Sequence, residues 1–560
     1  MQFSGTTPLT VPSEIHLTFK DEAFNGCSSS VAVLLVDSHG KHKESYQLGV
    51  LETANAYKQI NENGSLNLDG MYLAGFSLKE YRDLYGLKPS DRVEIKDFSA
   101  RRTFFDSDKE IDFSQADFVG DGCHFDECVF GDGPLSFYHC IWHTTVSFEE
   151  ARFGAGIANF QYAEFLGSQV KFNHVEFKAG DVQFINAVFG DTHVSFQEVM
   201  FGDGKVDFHY TKFGNGNISF DKSRFGGGEV SFKRVDFGHG KVDFRRVHFG
   251  DGVIDFTEAE FKSGKVIFRS SVFGEGDIRF VEVVSDSDFI FDKAEFGSGS
   301  LSFFGATARK LSFQICQLNN YVDLRLARAE KVDLRYTIVR DIIDMMPTDR
   351  YKVEVAEMNF SGMRNLGSLY IDWKENGVKR LVENQSETND RQKSEQFLVL
   401  KESYNATGRY ADEDRAYVWY KRYELKADLQ FALSKKKSNA IWAYPTAFFK
   451  WLLFDKVGLY ATEPLRVLFS VTVIYTLFSL LYLVLPYMAD TYIDTGGGEV
   501  LAGMNEVTKA FYYSAITFLT IGYGEFYPVG IMRLFASLEG YVGVFLMGYF
   551  SVSFMRKVLR

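Results

Sequence analysis

The sequence predicts a multidomain chain made of a β-solenoid of 12-residue units, a helical linker, and a C-terminal pair of membrane-crossing helices with a re-entrant loop between them. Three observations predict it. Phenylalanine recurs from Phe196 to Phe280 at spacings that alternate between 5 and 7. Residues 467–489 run for 23 positions without a charge, long enough to cross a bilayer of about 30 Å. A second apolar stretch, 531–560, closes the chain, and a glycine-punctuated segment lies between the two.

Bulk composition agrees. At 560 residues the chain is too long for one ordinary domain. Phe (56) and Gly (49) are abundant and Pro (9) is scarce, a bias that points to repeats. The net charge of −13 is not that of a surface built to grip nucleic-acid phosphates. Cys27, Cys123, Cys128, Cys140 and Cys316 form no paired framework, which suits a reducing compartment. The opening MQFSGTTPLTVPSEIHLTF has neither a basic start nor an apolar run, so no signal peptide is expected.

Residues 1–95 read as an N-terminal cap or small domain, with a buried strand at 31–37 and a short helix at 78–87. Residues 96–345 are the repeat. The leading Phe of each unit from Phe113 to Phe280 marks 15 units, with one short step between Phe137 and Phe148. Two residues before each second Phe stands a small or β-branched residue, as at Ala163, Val175, Ala187, Val199, Thr211, Ser223, Val235, Val247, Ala259 and Ser271. Positions i and i−2 share a face of an extended chain, so both are expected to point inward. One 12-residue unit cannot enclose two Phe rings, so two units, about 24 residues, should make one coil. Seven-odd coils at roughly 4.8 Å per strand would make a rod of about 35 Å. The Phe-Gly-x-Gly sequences should form enlarged corners in which Gly adopts positive φ.

A Phe at every fifth residue resembles the pentapeptide-repeat family, and the run Phe313, Leu318, Leu324, Ala329, Leu334, Val339 comes close to its plain five-residue step. The resemblance implies a right-handed quadrilateral β-solenoid.

Residues 346–455 read as a linker. Its first part, 346–385, has no clear pattern. An antiparallel helix pair is expected at 390–406, ending at Gly408, and at 411–433, running from acidic residues to Lys435, Lys436 and Lys437. Residues 440–454 are aromatic and nearly uncharged, as in a helix at the membrane interface.

Residues 456–560 hold the two spans. Lys450, Lys456 and Arg466 precede the first, Arg556, Lys557 and Arg560 end the second, and Asp490, Asp494, Glu499 and Glu506 lie between. The positive-inside rule puts both flanks in the cytoplasm of a multi-pass cell-membrane protein. The one acid in the second span, Glu539, is expected to face protein or water and not lipid.

Residues 506–528 resemble the pore loop of the two-transmembrane potassium-channel family. Thr520-Ile521-Gly522-Tyr523-Gly524 matches the selectivity-filter motif, with Ile where Val is commoner. Tyr512 and Tyr513 stand where the family has filter-supporting aromatics, Thr517 lies upstream, and Glu525 replaces the usual Asp. The resemblance implies rings of backbone carbonyls that replace the hydration shell of potassium, with four chains needed to complete each ring. Gly543 is a candidate gating hinge or a close-packing residue in equal measure, Gly540 and Gly548 read as packing residues, and Met547, Ser551 and Met555 would line the pore.

Other signals are weaker. Cys123, His124, Cys128, His139, Cys140 and His143 cluster, as zinc ligands do, yet the cysteines fall on the small inward positions before Phe125, Phe130 and Trp142. Gly-Asp-Gly at 131–133, 202–204 and 250–252 is not kept in the other repeats, so a calcium ladder is not expected. No nucleophile–base pair, phosphate loop or dinucleotide fingerprint is present, so no enzyme is expected. The expected assembly is a homotetramer in a lipid bilayer, with permeant K+ as its only ligand, no further cofactor and no nucleic-acid partner. A cytoplasmic protein or ligand acting on the N-terminal region has room in this scheme. The alternatives are a membrane-tethered solenoid scaffold for protein docking and a less selective cation channel.

Overall fold

The computed structural model describes residues 12–37, 42–435, 440–495 and 503–559. Residues 1–11 of the opening segment, with Lys436, Lys437, Glu499 and Arg560, lie outside the described residues. The chain divides into two compact units, 1–386 and 387–560.

The first unit begins with three antiparallel strands, β1 (Pro12–Lys20), β2 (Ser30–Asp37) and β3 (His42–Val50). Helix α1 (Thr53–Asn63) follows. Helix α2 (Leu78–Tyr85) starts where the Ser77 hydroxyl accepts the Glu80 N–H and ends at Gly86 with φ +67°. Val31, Val33, Leu35 and Leu48 pack with Tyr72, Phe104 and Val129 of the first coils, so the N-terminal strands cover the otherwise apolar outer face where the solenoid begins.

From Ser65 to Tyr370 the strands pair in parallel. The chain visits four ladders in turn, as at Gln169–Lys171, Glu176–Phe177, Val182–Gln183 and Val188–Phe189, and then starts the next coil at His193–Ser195. Register fixes the coil at two repeat units: Val182 faces Val206 and Val206 faces Val230, 24 residues apart. The short step of the sequence shows as a 23-residue coil, with Leu135 facing Ala158. One ladder has thirteen strands among the described residues, from Ser65–Asn67 to Glu354–Asn359. Twelve steps of about 4.8 Å give roughly 58 Å, longer than the Phe repeat alone implies. The extra coils lie at both ends, where other residues replace Phe. Leu66 and Leu68 fill the first coil, and Val353, Met358, Met363 and Leu369 fill the last, all buried, so the stretch after 345 carries strands that its sequence hides.

Phenylalanines fill the interior in stacked columns. Phe196, Phe220, Phe244, Phe268 and Phe291 follow one another at 4.8, 4.9, 4.8 and 4.7 Å between ring centroids. A second column through Phe208 and Phe232 meets the first edge-on, with Phe196 and Phe208 5.9 Å apart at 84°. Both arrangements suit the ring quadrupole. The small positions are buried as expected. Where they are polar they donate to a carbonyl of the coil beneath: Thr211 Oγ1 to Phe184 O at 2.7 Å, Ser271 Oγ to Phe244 O at 2.5 Å and Cys140 Sγ to Phe113 O at 3.0 Å.

Most corners differ from expectation. Gly238 has the expected positive φ, +62°, but Gly226, Gly228, Gly250 and Gly252 do not. A Cβ on them would lie 2.0–2.5 Å from the carbonyl oxygen of Gly202, Gly204, Gly226 or Gly228 one coil below, so these glycines are required by the closeness of stacked backbones. The left-handed residues are instead polar ones two positions after each leading Phe, such as Tyr210, Lys222, Arg234, Arg246 and Glu258, with φ between 54° and 62°. An Asp before some of these turns helps to hold them: the Asp207 and Asp255 carboxylates accept the N–H groups of His209 and Thr257 at 2.9 and 2.8 Å.

The unit closes with α3 (Val378–Glu383). The second unit begins with α4 (Asp390–Ala406), opened by a reciprocal cap between Asn389 and Gln392, and α5 (Tyr410–Lys435). Gly408 turns the chain with φ +72°. The two helices run antiparallel, for Asp390 meets Gln430 and Phe397 stacks on Tyr423. Helix α6 (Ala440–Lys450) leads into a π-helical segment, Trp451–Val457, and leaves Ile441, Trp442, Tyr444, Phe448 and Phe449 exposed.

Candidate functional site

Three helices and a short strand pair carry the site. Helices α7 (Pro464–Met488) and α9 (Met532–Val558) are long and apolar enough to cross a membrane. Between them, α8 (Glu506–Phe518) starts where the Asn505 side chain accepts the Val507 N–H at 2.8 Å. Strands Tyr492–Thr495 and Phe526–Val529 pair antiparallel, and the Tyr527 hydroxyl donates to Asp494 Oδ2 at 2.7 Å. The segment 519–525 is thus anchored by a helix end on one side and a strand on the other.

In that segment the backbone alternates. Thr520, Gly522 and Gly524 are left-handed, with φ of 55°, 55° and 82°, and Ile521 and Tyr523 between them are not. The Ile521 N–H donates to the Ile516 carbonyl at 2.9 Å and the Thr520 N–H to Thr517 O at 3.1 Å. Ile521, Tyr523 and Glu525 are exposed in the single chain. Tyr513 is buried with its ring 5.0 Å from that of Tyr482 on α7. Tyr512 is half-buried, 5.6 Å from Phe526, and Thr517 is half-buried.

Glu539 is fully buried and faces protein, as its place in an apolar span requires. Its carboxyl group accepts hydrogen bonds from Tyr482 Oη at 2.7 Å and from the Ser514 hydroxyl. One acid therefore joins α7, α8 and α9. Sequence reasoning found the acid and missed its partners, which lie 57 and 25 residues away.

Helix α9 passes Gly543 unbroken. A Cβ there would lie 2.0 Å from Phe518 O, the last carbonyl of α8, so the structure gives this glycine a packing requirement. Gly540 has room, with Thr517 O at 4.0 Å, and Gly548 meets nothing within 4 Å in the chain. Met547, Ser551 and Met555 share one exposed face of α9, with the Ser551 hydroxyl bonded to Met547 O at 2.9 Å.

The cysteine–histidine cluster is divided by the coil wall. Cys123, Cys128 and Cys140 are buried inside, and Cys128 Sγ lies 2.6 Å from Ala100 O. Outside, His143 pairs with Asp117 at 2.9 Å, His124 with Asp126 at 3.2 Å, and His139 stacks on Tyr162.

Compared with known proteins, residues 467–560 match a family described as ion channel. No curated protein and no solved structure matches the chain. The match covers both spans, α8, the alternating segment and Glu539, so the C-terminal part of this chain is a membrane domain of the ion-channel family, carried behind a β-solenoid.

Proposed function

We propose that the chain is one subunit of a homotetrameric, potassium-selective channel of the cell membrane, with both flanks of its two spans in the cytoplasm and a gate governed from the N-terminal region through the linker helices. The observation that carries the proposal is the alternation at 520–524. Left-handed residues at every second position turn successive carbonyls toward one side of the strand, and a row of such oxygens is what a potassium ion needs in exchange for its water. Thr520 would add a hydroxyl at the inner end, and Gly522 and Gly524 bear the left-handed conformation without steric cost. Thr520 carries that cost itself, of order 1–3 kcal/mol.

The same geometry calls for several copies, and the resemblance to potassium channels makes the number four. One chain supplies one row of oxygens, and a cation must be surrounded. The exposed Ile521 and Tyr523, and the exposed face of Met547, Ser551 and Met555, are surfaces that neighbouring subunits and a central pore would account for. Tyr512, Tyr513, Thr517 and Glu525 would support the filter from behind, Tyr513 through its contact with Tyr482. The test is single-channel recording in lipid bilayers under a potassium/sodium gradient. A reversal potential that tracks potassium supports the proposal, and one that treats both ions alike replaces it with a less selective cation pore.

A further inference from the structure

Beyond the filter, the end of α9 is tied to the linker by charges that permeation does not use. Helix α5 opens with Asp412, Glu413 and Asp414, all buried, at the end of a helix where its dipole favours acids. Asp412 is taken by Arg409 and Arg415, at 2.6 and 2.7 Å. Asp414 binds α9 instead: Arg556 Nη2 lies 3.0 Å from its Oδ1 and Lys557 Nζ 3.0 Å from its Oδ2. Arg556 also lies 3.6 Å from Glu413 and sits 4.4 Å over the Tyr417 ring.

Two further contacts complete a triangle. Arg422 of α5 makes a two-point pair with buried Asp455 of the π-helical segment, at 3.0 and 2.8 Å. Tyr549 of α9 accepts the Ala461 N–H at 2.9 Å and donates to Phe454 O at 3.3 Å. A Cβ on Gly458 would lie 2.2 Å from the Tyr549 ring, so a larger residue there would have to displace that ring.

The side of α9 that is held matters. Tyr549, Ser553 and Arg556 are spaced by four and three residues and share a face. Met547, Ser551 and Met555 are spaced by four and lie about 200° around the helix from the first two. The linker grips the face turned away from the one assigned to the pore. We infer that the Arg556/Lys557–Asp414 tie is a positioning device that holds the inner end of α9 off the pore axis. This rests on the pore reading above. A grip on the outer face opposes inward movement of the helix, so it favours the wide state, and its loss lowers open probability. Permeation, set at 520–524, is untouched.

The experiment is recording from the full chain in bilayers with symmetric potassium, with potassium/sodium reversal potential as the second readout. Asp414→Lys is expected to lower open probability by at least about fivefold, the low end of ordinary coupling between sites, with reversal potential unchanged. Combining it with Arg556→Asp and Lys557→Asp is expected to restore the parental open probability. Because a reversed charge at a buried site can prevent assembly, the pair Asp414→Asn and Lys557→Gln is recorded as well. Each is expected to lower open probability, and the double variant to lower it no further than the stronger single one. A potassium-selective parent whose open probability is the same in all of these variants, or whose single effects simply add, overturns the tie alone. A parent without potassium current overturns the pore reading and the tie with it.

Discussion

Gly543→Ala adds one methyl group where α9 crosses the end of α8. The new Cβ would stand 2.0 Å from Phe518 O, 2.9 Å from its carbonyl carbon and 3.2 Å from its Cα, against an ordinary contact of 3.4–4 Å. All three atoms are backbone, so no side chain can turn aside. The helices must separate by more than about 1 Å, or α8 must slide. Overpacking of this kind costs about 1–3 kcal/mol. Helix propensity works the other way, since Gly→Ala in a helix interior gains about 1 kcal/mol. Gly540→Ala gains the same and meets only Thr517 O at 4.0 Å, so the difference between the two variants isolates the clash, roughly 1–3 kcal/mol. The assay is thermal denaturation of the purified assembly in detergent, with reversal potential recorded in parallel. Gly543→Ala is expected to melt below Gly540→Ala and, on the proposed function, to leak sodium, because Phe518 immediately precedes Leu519 and the alternating segment 520–524. Equal melting temperatures with selectivity intact would refute the contact. A change in open probability alone would return Gly543 to the role of hinge.

Three other outcomes follow from named contacts. Phe220→Ala removes a ring stacked on Phe196 and Phe244 and edge-on to Phe208 and Phe232; a loss of about 3–5 kcal/mol, seen as a lower unfolding temperature of the solenoid transition, is expected, and an unchanged transition would contradict the stacked interior. Tyr482→Phe removes one of two hydrogen bonds to buried Glu539 and should destabilise the membrane domain by about 1–3 kcal/mol without altering the solenoid transition. Burial works to raise the Asp333 carboxyl, but the two-point pair with Arg335 (2.9 and 2.7 Å) prevails and holds it below the ordinary 3.8. Its contribution to stability is therefore complete above the ordinary carboxylate range and is lost as pH falls through the lowered value. Asp333→Asn should flatten the acid limb of the stability profile.

What the sequence reveals depends on how local the determining contact is. The coil of two units is legible because Phe196, Phe208 and Phe220 recur at a fixed step that only a stacked coil explains. The alternating backbone at 520–524 is legible because it is written in adjacent residues, with Gly522 and Gly524 at two of the three left-handed positions. The corner glycines are visible yet misread: Gly226 looks like a residue chosen for backbone freedom, whereas the constraint is Gly202 O one coil away, which no local pattern carries. The last coils are hidden because Val353, Met358 and Leu369 fill the same interior without the Phe signature. The tie between Asp414 and Lys557 joins residues 143 positions apart, and in sequence each is an ordinary charge at a helix end. Long-range pairs of unlike residues leave no period to read.

The 520–524 segment, repeated fourfold, is proposed to pass potassium and exclude sodium. Reversal potential under graded potassium concentrations, with sodium as the only competing cation, tests it most directly. A potassium-selective pore gives a shift of about 59 mV for each tenfold change in the potassium ratio, kept in Glu525→Asp, whose longer parent residue is exposed. A reversal potential that stays near zero when sodium replaces potassium on one side would contradict it.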